Sequence, residues 1–356
     1  MKINLMTGLC GLAAFLLASS AVPATAQDRQ VVFSTSGGSY EKAIREYWLE
    51  PFEKATGIKV VVVPTGDSAE GRAKVEAMIK SGNVTWDIFT EGEIEAEAPD
   101  HLARRGDDLS DFCMQFKDYS DLVTDACKAS SILFIRGATL IAYNKEHFPN
   151  GGPSTWKEFW DTKQFPGARS MGAGAEAYVQ LTAALLADGV PRDKLYPMDV
   201  DRAFKKLHEL RSDVGLWWTN GDQQVQGFRN GQYDAGVMYM TRTTALKNEG
   251  QPVAWSYNGA IMLGDRFAIV KGAPHKAEAL ELLKFYLDSP EIQGKICEAL
   301  SCVPPSKDAL NYMSAEARAN MPSDEEISSE MVVPDPKWVN DNRPMLIDRW
   351  NAWIQN

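Results

Sequence analysis

The stretch Ser130-Ser131-Ile132-Leu133-Phe134-Ile135-Arg136-Gly137-Ala138-Thr139-Leu140-Ile141-Ala142-Tyr143-Asn144 constrains the fold of this chain more than any other. It is mostly apolar and rich in β-branched residues, and the turn signal Asn150-Gly151-Gly152-Pro153 soon follows, so it reads as a long buried strand. In its middle stand one charge, Arg136, and one glycine, Gly137. A guanidinium there must be paired or must face a wet cleft, because leaving it dry and alone is very costly. We read the strand as crossing between two lobes, with Arg136 beside the cleft they form. An ion pair inside a core is the alternative, and residue type alone does not separate the two.

The rest of the chain alternates strand and helix. Val31-Val32-Phe33 is a short strand, Ser36-Gly37-Gly38-Ser39 a turn, and Ser39 the expected N-cap of a helix with Ile44, Tyr47, Trp48 and Phe52 on one face. After Gly57 comes the strand 58–63, then a helix through Val75, Met78 and Ile79, then a strand over 86–90. Past the crossing strand, Thr155 caps a helix, residues 175–187 and 199–211 form two more, and 215–219 is a strand followed by the helix 222–230. Gly231-Gln232-Tyr233-Asp234 then leads into a strand ending at Tyr239, repeating the glycine, aromatic-Asp and strand order of residues 82–89. Residues 267–270 read as a returning strand before a helix carrying Leu280, Leu283 and Leu287, and the proline-broken tail closes with Trp350 and Trp353. The expected class is α/β, two lobes sharing the chain through crossing strands. Residues 27–137 and 266–310 make the first lobe; 138–265 and 311–356, with the C-terminal helices, make the second.

The N-terminus predicts export. Lys2 precedes an apolar run from Leu9 to Ala18, and Ala24-Thr25-Ala26 is a small-x-small cleavage site, so residues 1–26 read as a signal peptide cut after Ala26. Lys2 is the only charge in that segment, so its removal takes the formal charge from −11 to −12. With 37 basic against 48 acidic residues, nucleic acid is excluded as a partner. Four cysteines remain, Cys113, Cys127, Cys297 and Cys302. In an oxidising compartment an even count implies disulfides, and the short loops Cys113–Cys127 and Cys297–Cys302 close at lower entropy cost than the crossed pairings.

Catalytic motifs are scarce. Gly66-Asp67-Ser68-Ala69 resembles the nucleophile block of GDSL-type hydrolases, but none of the four His residues has an Asp three positions before it. A serine without its base is inert at neutral pH, so an exported hydrolase using Ser68 stands only as the alternative reading. No HExxH, P-loop or GxSxG is present, and neither a metal nor a cofactor is expected. A binding role suits the residues better. Ser36, Gly37 and Gly38 sit where a strand hands over to a helix and present small side chains and amides to a cleft. Glu91 lies at an equivalent strand tip, while Glu93 and Glu95 suit a helix N-terminus. Tyr239 ends a strand and offers a wall to methylenes or an ammonium.

Several phrases carry a family resemblance. Pro51-Phe52-Glu53-Lys54-Ala55-Thr56-Gly57-Ile58-Lys59-Val60 resembles the opening of bacterial extracellular solute-binding proteins, as do Trp86-Asp87-Ile88, Thr155-Trp156-Lys157-Glu158-Phe159-Trp160 and Gly231-Gln232-Tyr233-Asp234. The helix ending Phe285-Tyr286-Leu287-Asp288-Ser289-Pro290-Glu291-Ile292-Gln293 is similar to that of the spermidine/putrescine-binding branch. The resemblance implies a type II-like periplasmic binding protein fold. It implies a monomer that captures a small polar organic ligand and delivers it to the inner-membrane permease of an ABC importer. Carried over by position, it places Tyr40, Tyr239 and Asp265 in the ligand cleft, with Asp265 holding an ammonium. The chain departs from the branch at Leu263, at Thr35-Ser36-Gly37-Gly38 and at Arg136, where aromatic residues are usual, and of the acidic pair usual near residues 171–175 only Glu176 is close. A shorter cation, or one also bearing a carboxylate for Arg136 or Arg242, therefore fits as well as a polyamine.

Overall fold

The computed structural model describes residues 29–65, 68–123, 125–173, 176–322 and 324–355, so the expected signal peptide and its cleavage site lie outside the described residues. Its strands are β1 (Gln30–Ser36), β2 (Lys59–Thr65), β3 (Ile88–Gly92), β4 (Cys127–Lys128), β5 (Ser131–Asn144), β6 (Arg169–Gly172), β7 (Val214–Trp218), β8 (Ala235–Tyr239) and β9 (Val253–Ile269). They form one sheet in the order β2-β1-β3-β9-β5-β8-β6-β7, with β4 beside β5. β1, β2 and β3 run parallel at one end, and β6, β7 and β8 run parallel at the other. The long strands β5 and β9, antiparallel to each other, join the two ends.

Burial along β5 shows why that segment looked unusual in sequence. Its interior residues are buried on both sides of Arg136 and Gly137, which alone are half-exposed before the strand's last two residues. Two hydrophobic cores flank that interruption. Phe33, Trp48, Phe134, Phe267 and Tyr286 centre one, with Phe134 and Phe267 ring centroids 4.4 Å apart. Phe159, Leu181, Leu207, Val237 and Trp350 belong to the other.

The sequence repeat has a structural counterpart. Asp87, just before β3, accepts from the Val32 amide at 2.7 Å and from His275 Nδ1 at 3.0 Å. Asp234, just before β8, accepts from the Ala168 amide at 2.9 Å and lies 3.0 Å from His147 Nδ1. In each half an aspartate pins the start of a neighbouring parallel strand and a histidine that follows the end of a crossing strand. Both disulfides form with the expected pairing, Cys113–Cys127 at a Cα separation of 5.4 Å and Cys297–Cys302 at 4.6 Å.

Some local expectations differ from the structure. The first helix begins at Gly38, with Gly37 rather than Ser39 at the N-cap and no side-chain cap bond. A π turn over Arg45–Leu49 then joins it to the helix Glu50–Thr56. Four-residue spacing of Ile44, Trp48 and Phe52 would drift around a regular helix; the wider turn helps keep all three buried. Thr155 is a cap as expected, in a reciprocal box with Glu158. The returning strand is much longer than residues 267–270, because β5 pairs with β9 as far back as Val253. Among the described residues no helix is long and apolar enough to cross a membrane.

Candidate functional site

A cavity of about 1020 Å³ opens where β5 and β9 pass each other, floored by Arg136, Gly137 and Ala138 from β5 and Leu263, Gly264 and Asp265 from β9. Gly92, Gly172, Trp218 and Tyr239, the last residues of β3, β6, β7 and β8, reach it from both ends of the sheet. Carboxyl ends of parallel strands are where α/β sheets leave a crevice for ligands.

The anionic side of the cavity is Asp265 and Glu176. Tyr40 Oη donates to Asp265 Oδ2 at 3.5 Å, and Tyr239 Oη donates to Glu176 Oε2 at 3.2 Å. Neither carboxylate forms an ion pair with a described residue. Burial pushes Asp265 up to about 7, with the charges of Glu95 and Glu93 adding to the rise. Burial likewise pushes Glu176 up to about 7, again with Glu95 contributing. Both groups therefore lack a paired positive charge among the described residues.

Two other cavity carboxylates are already compensated. Glu93 Oε1 lies 2.6 Å from Arg136 Nη2 and 3.2 Å from Arg266 Nη1. Arg136 also pairs with Asp125, so it both lines the cavity and is held in an ion-pair network, and its charge is satisfied within the protein. Glu95 meets Arg343 at 2.8 Å and Arg72 at 3.9 Å. Burial would raise the Glu95 carboxyl, but these two guanidiniums hold it below the usual range. Arg242 is more loosely held. Its Nη2 lies 3.3 Å from Asp222 Oδ1, on a side chain 84% exposed. A Cβ on Gly221 would come within 2.5 Å of Arg242 Nε, so the glycine makes room for that guanidinium at the cavity wall.

Of the residues expected at the site, Gly37, Gly38, Tyr40, Arg136, Tyr239, Arg242 and Asp265 line this cavity together. The side chains of Ser36 and Ser68 lie outside the described residues; Ser68 begins the helix Ser68–Ser81. Glu91 is a correction. The strand runs on to Gly92, and side chains alternate between faces, so Thr90 and Gly92 reach the cavity while Glu91 turns away. Glu91 is wholly buried, bonded to His101 and 3.6 Å from Arg105 Nε. Sequence reasoning left Arg72, Glu176, Tyr178 and Asn220 out of the site. Glu176 alone carried a signal, as the one acid near the end of β6.

The sheet is that of the periplasmic binding protein fold. The family model for bacterial extracellular solute-binding proteins matches residues 48–323. The chain is 30% identical to a gamma-aminobutyric acid-binding protein of Pseudomonas aeruginosa over 343 residues, covering 94% of this chain and 93% of the relative. A spermidine/putrescine-binding periplasmic protein of Haemophilus influenzae is 21% identical over 300 residues, covering 80% of this chain and 76% of the relative. Among solved structures, unliganded open AttC of Agrobacterium tumefaciens C58 is 52% identical with a TM-score of 0.75, covering 92% of this chain and 99% of that one. The Atu4243–GABA receptor is 28% identical with a TM-score of 0.80, covering 91% and 97%. This chain belongs to the family of bacterial extracellular solute-binding proteins. The family is one of binding proteins rather than enzymes, and the comparisons lend the Ser68 hydrolase reading no support. They also bear out the family rather than its polyamine branch.

Proposed function

We propose that this protein captures a small zwitterion, of the ω-amino acid type, in the periplasm and delivers it to the permease of an ABC importer. The observation that carries the reading is the charge pattern of one cavity: Asp265 and Glu176 uncompensated, and Arg242 loosely held beside an exposed acid. An ammonium between Asp265 and Glu176 supplies the charge both lack, with Tyr40 and Tyr239 beside it. The ligand's carboxylate then pairs with Arg242. A diamine would set its second ammonium against that guanidinium. The names of the Pseudomonas relative and of the Atu4243 receptor agree with this class.

The two cores flanking Arg136 and Gly137 act as the two lobes. A ligand bridging them favours the closed form by its differential affinity. A thermal-shift screen of ω-amino acids, α-amino acids, diamines and monocarboxylates tests the proposal. The expected outcome is stabilisation by compounds carrying both charges. Stabilisation by diamines alone would overturn it.

A further inference from the structure

The C-terminal helix Pro336–Gln355 lies 240 residues beyond the segment it serves, and it is seated in two ways. Val339, Leu346 and Trp350 pack into the second core. On the flank of that face Asn340 Nδ2 donates to the Ile94 carbonyl at 2.6 Å, fixing the helix against the short turn Glu93–Ala96. Arg343 stands between these anchors and places Nη1 2.8 Å from Glu95 Oε1. Arg72, from the helix Ser68–Ser81, approaches the same oxygen at 3.9 Å. Glu95 and Arg72 line the cavity. A Cβ on Gly92 would fall 2.4 Å from Glu95 Oε2, so the carboxylate lies against bare backbone at the end of β3.

We propose that Arg343, assisted by Arg72, is a specificity-determining residue: it neutralises Glu95 and so leaves the cavity able to accept one ammonium rather than two. Among the described residues five carboxylates line the cavity: Glu93, Glu95, Glu176, Asp222 and Asp265. Arg136 and Arg266 answer Glu93, Arg343 and Arg72 answer Glu95, the exposed Asp222 faces Arg242, and Glu176 and Asp265 are left for a single cationic group. Without Arg343, Glu95 becomes a third open acid, and a ligand with a second ammonium gains a partner. Glu95 also raises both Asp265 and Glu176, which places it within electrostatic reach of the two.

This inference rests on the proposed zwitterion site, and its test keeps the two apart. Affinities for 4-aminobutyrate and 1,4-diaminobutane are measured by calorimetry on the parent, on Arg343→Gln and on Arg72→Gln. In Arg343→Gln the affinity ratio is expected to move toward the diamine by at least about tenfold, the size of one charge-assisted hydrogen bond. Arg72→Gln should shift it the same way by less, because its contact is longer, and it serves if Arg343→Gln does not fold. Adding Glu95→Gln to Arg343→Gln should restore the parent ratio. An unchanged ratio in whichever single variants fold, or a double variant that keeps the shift, overturns the role of Arg343. A parent that already prefers the diamine overturns the zwitterion reading instead, whatever the variants do.

Discussion

Replacing Asp265 by Asn separates two consequences of the same half-buried carboxyl. Its acid form is favoured up to about 7, well above the ordinary 3.8, chiefly because burial disfavours the charge. A raised acid pKa contributes stability to the unliganded fold that is fully present below the unfolded value and is lost as pH rises through the folded one. Three units would be worth about 4 kcal/mol as a ceiling; because Asp265 still reaches solvent, about 1–3 kcal/mol is the expected cost at pH 8. Asp265→Asn should therefore make the empty protein more stable at pH 8 and leave it little changed at pH 4. The same change should weaken 4-aminobutyrate binding at pH 8 by about ten- to a hundredfold, the worth of a charged hydrogen bond. At pH 6 the parent must ionise the carboxyl before an ammonium can use it, so the gap between parent and variant should shrink about tenfold from pH 8 to pH 6. Chemical denaturation and calorimetry at these pH values read all of this. A loss below about threefold at pH 8, or one that does not depend on pH, would refute the assignment of Asp265 to the ammonium.

Two further outcomes follow from the geometry. Arg242→Gln should weaken 4-aminobutyrate about tenfold while leaving butylamine, which has no carboxylate, within about twofold; equal losses for both in calorimetry would remove Arg242 from the carboxylate end. Asp87 is wholly buried and accepts from the amides of Val32 and His275, both at 2.7 Å, whereas Asp234 in the other half is partly exposed. Asp87→Ala should lower unfolding free energy by about 2–4 kcal/mol and Asp234→Ala by less, and a reversed order in denaturant titrations would contradict this account of the repeat.

The architecture was legible because the signals lay in local periodicity. An apolar run broken only at Arg136 and Gly137 marked the strand that crosses the cavity, and the Asp87 and Asp234 repeat marked the two halves. Disulfide pairing was legible because both partners lie close along the chain. Residues that line the cavity were legible where a family phrase fixed a position, as at Tyr40, Tyr239 and Asp265. Glu91 was misplaced because ending the strand two residues early put it at a tip, and a period of two turns such an error into the wrong face. Arg136 posed a choice between cleft and ion pair that dissolves once Glu93 and Asp125 are seen around it at the cavity floor. Arg343 carried no signal, since nothing in a proline-containing helix near the end of the chain points to Glu95; only the tertiary packing of Val339, Leu346 and Trp350 brings it there.

The central claim is that this cavity selects one ammonium together with one carboxylate. Calorimetric titration of the parent protein at pH 8 with 4-aminobutyrate, 1,4-diaminobutane and butyrate tests it most directly, because the three differ only in which charges they carry. The account predicts that 4-aminobutyrate binds at least about tenfold more tightly than either of the others. Binding of the diamine or of butyrate as tightly as the zwitterion would contradict it.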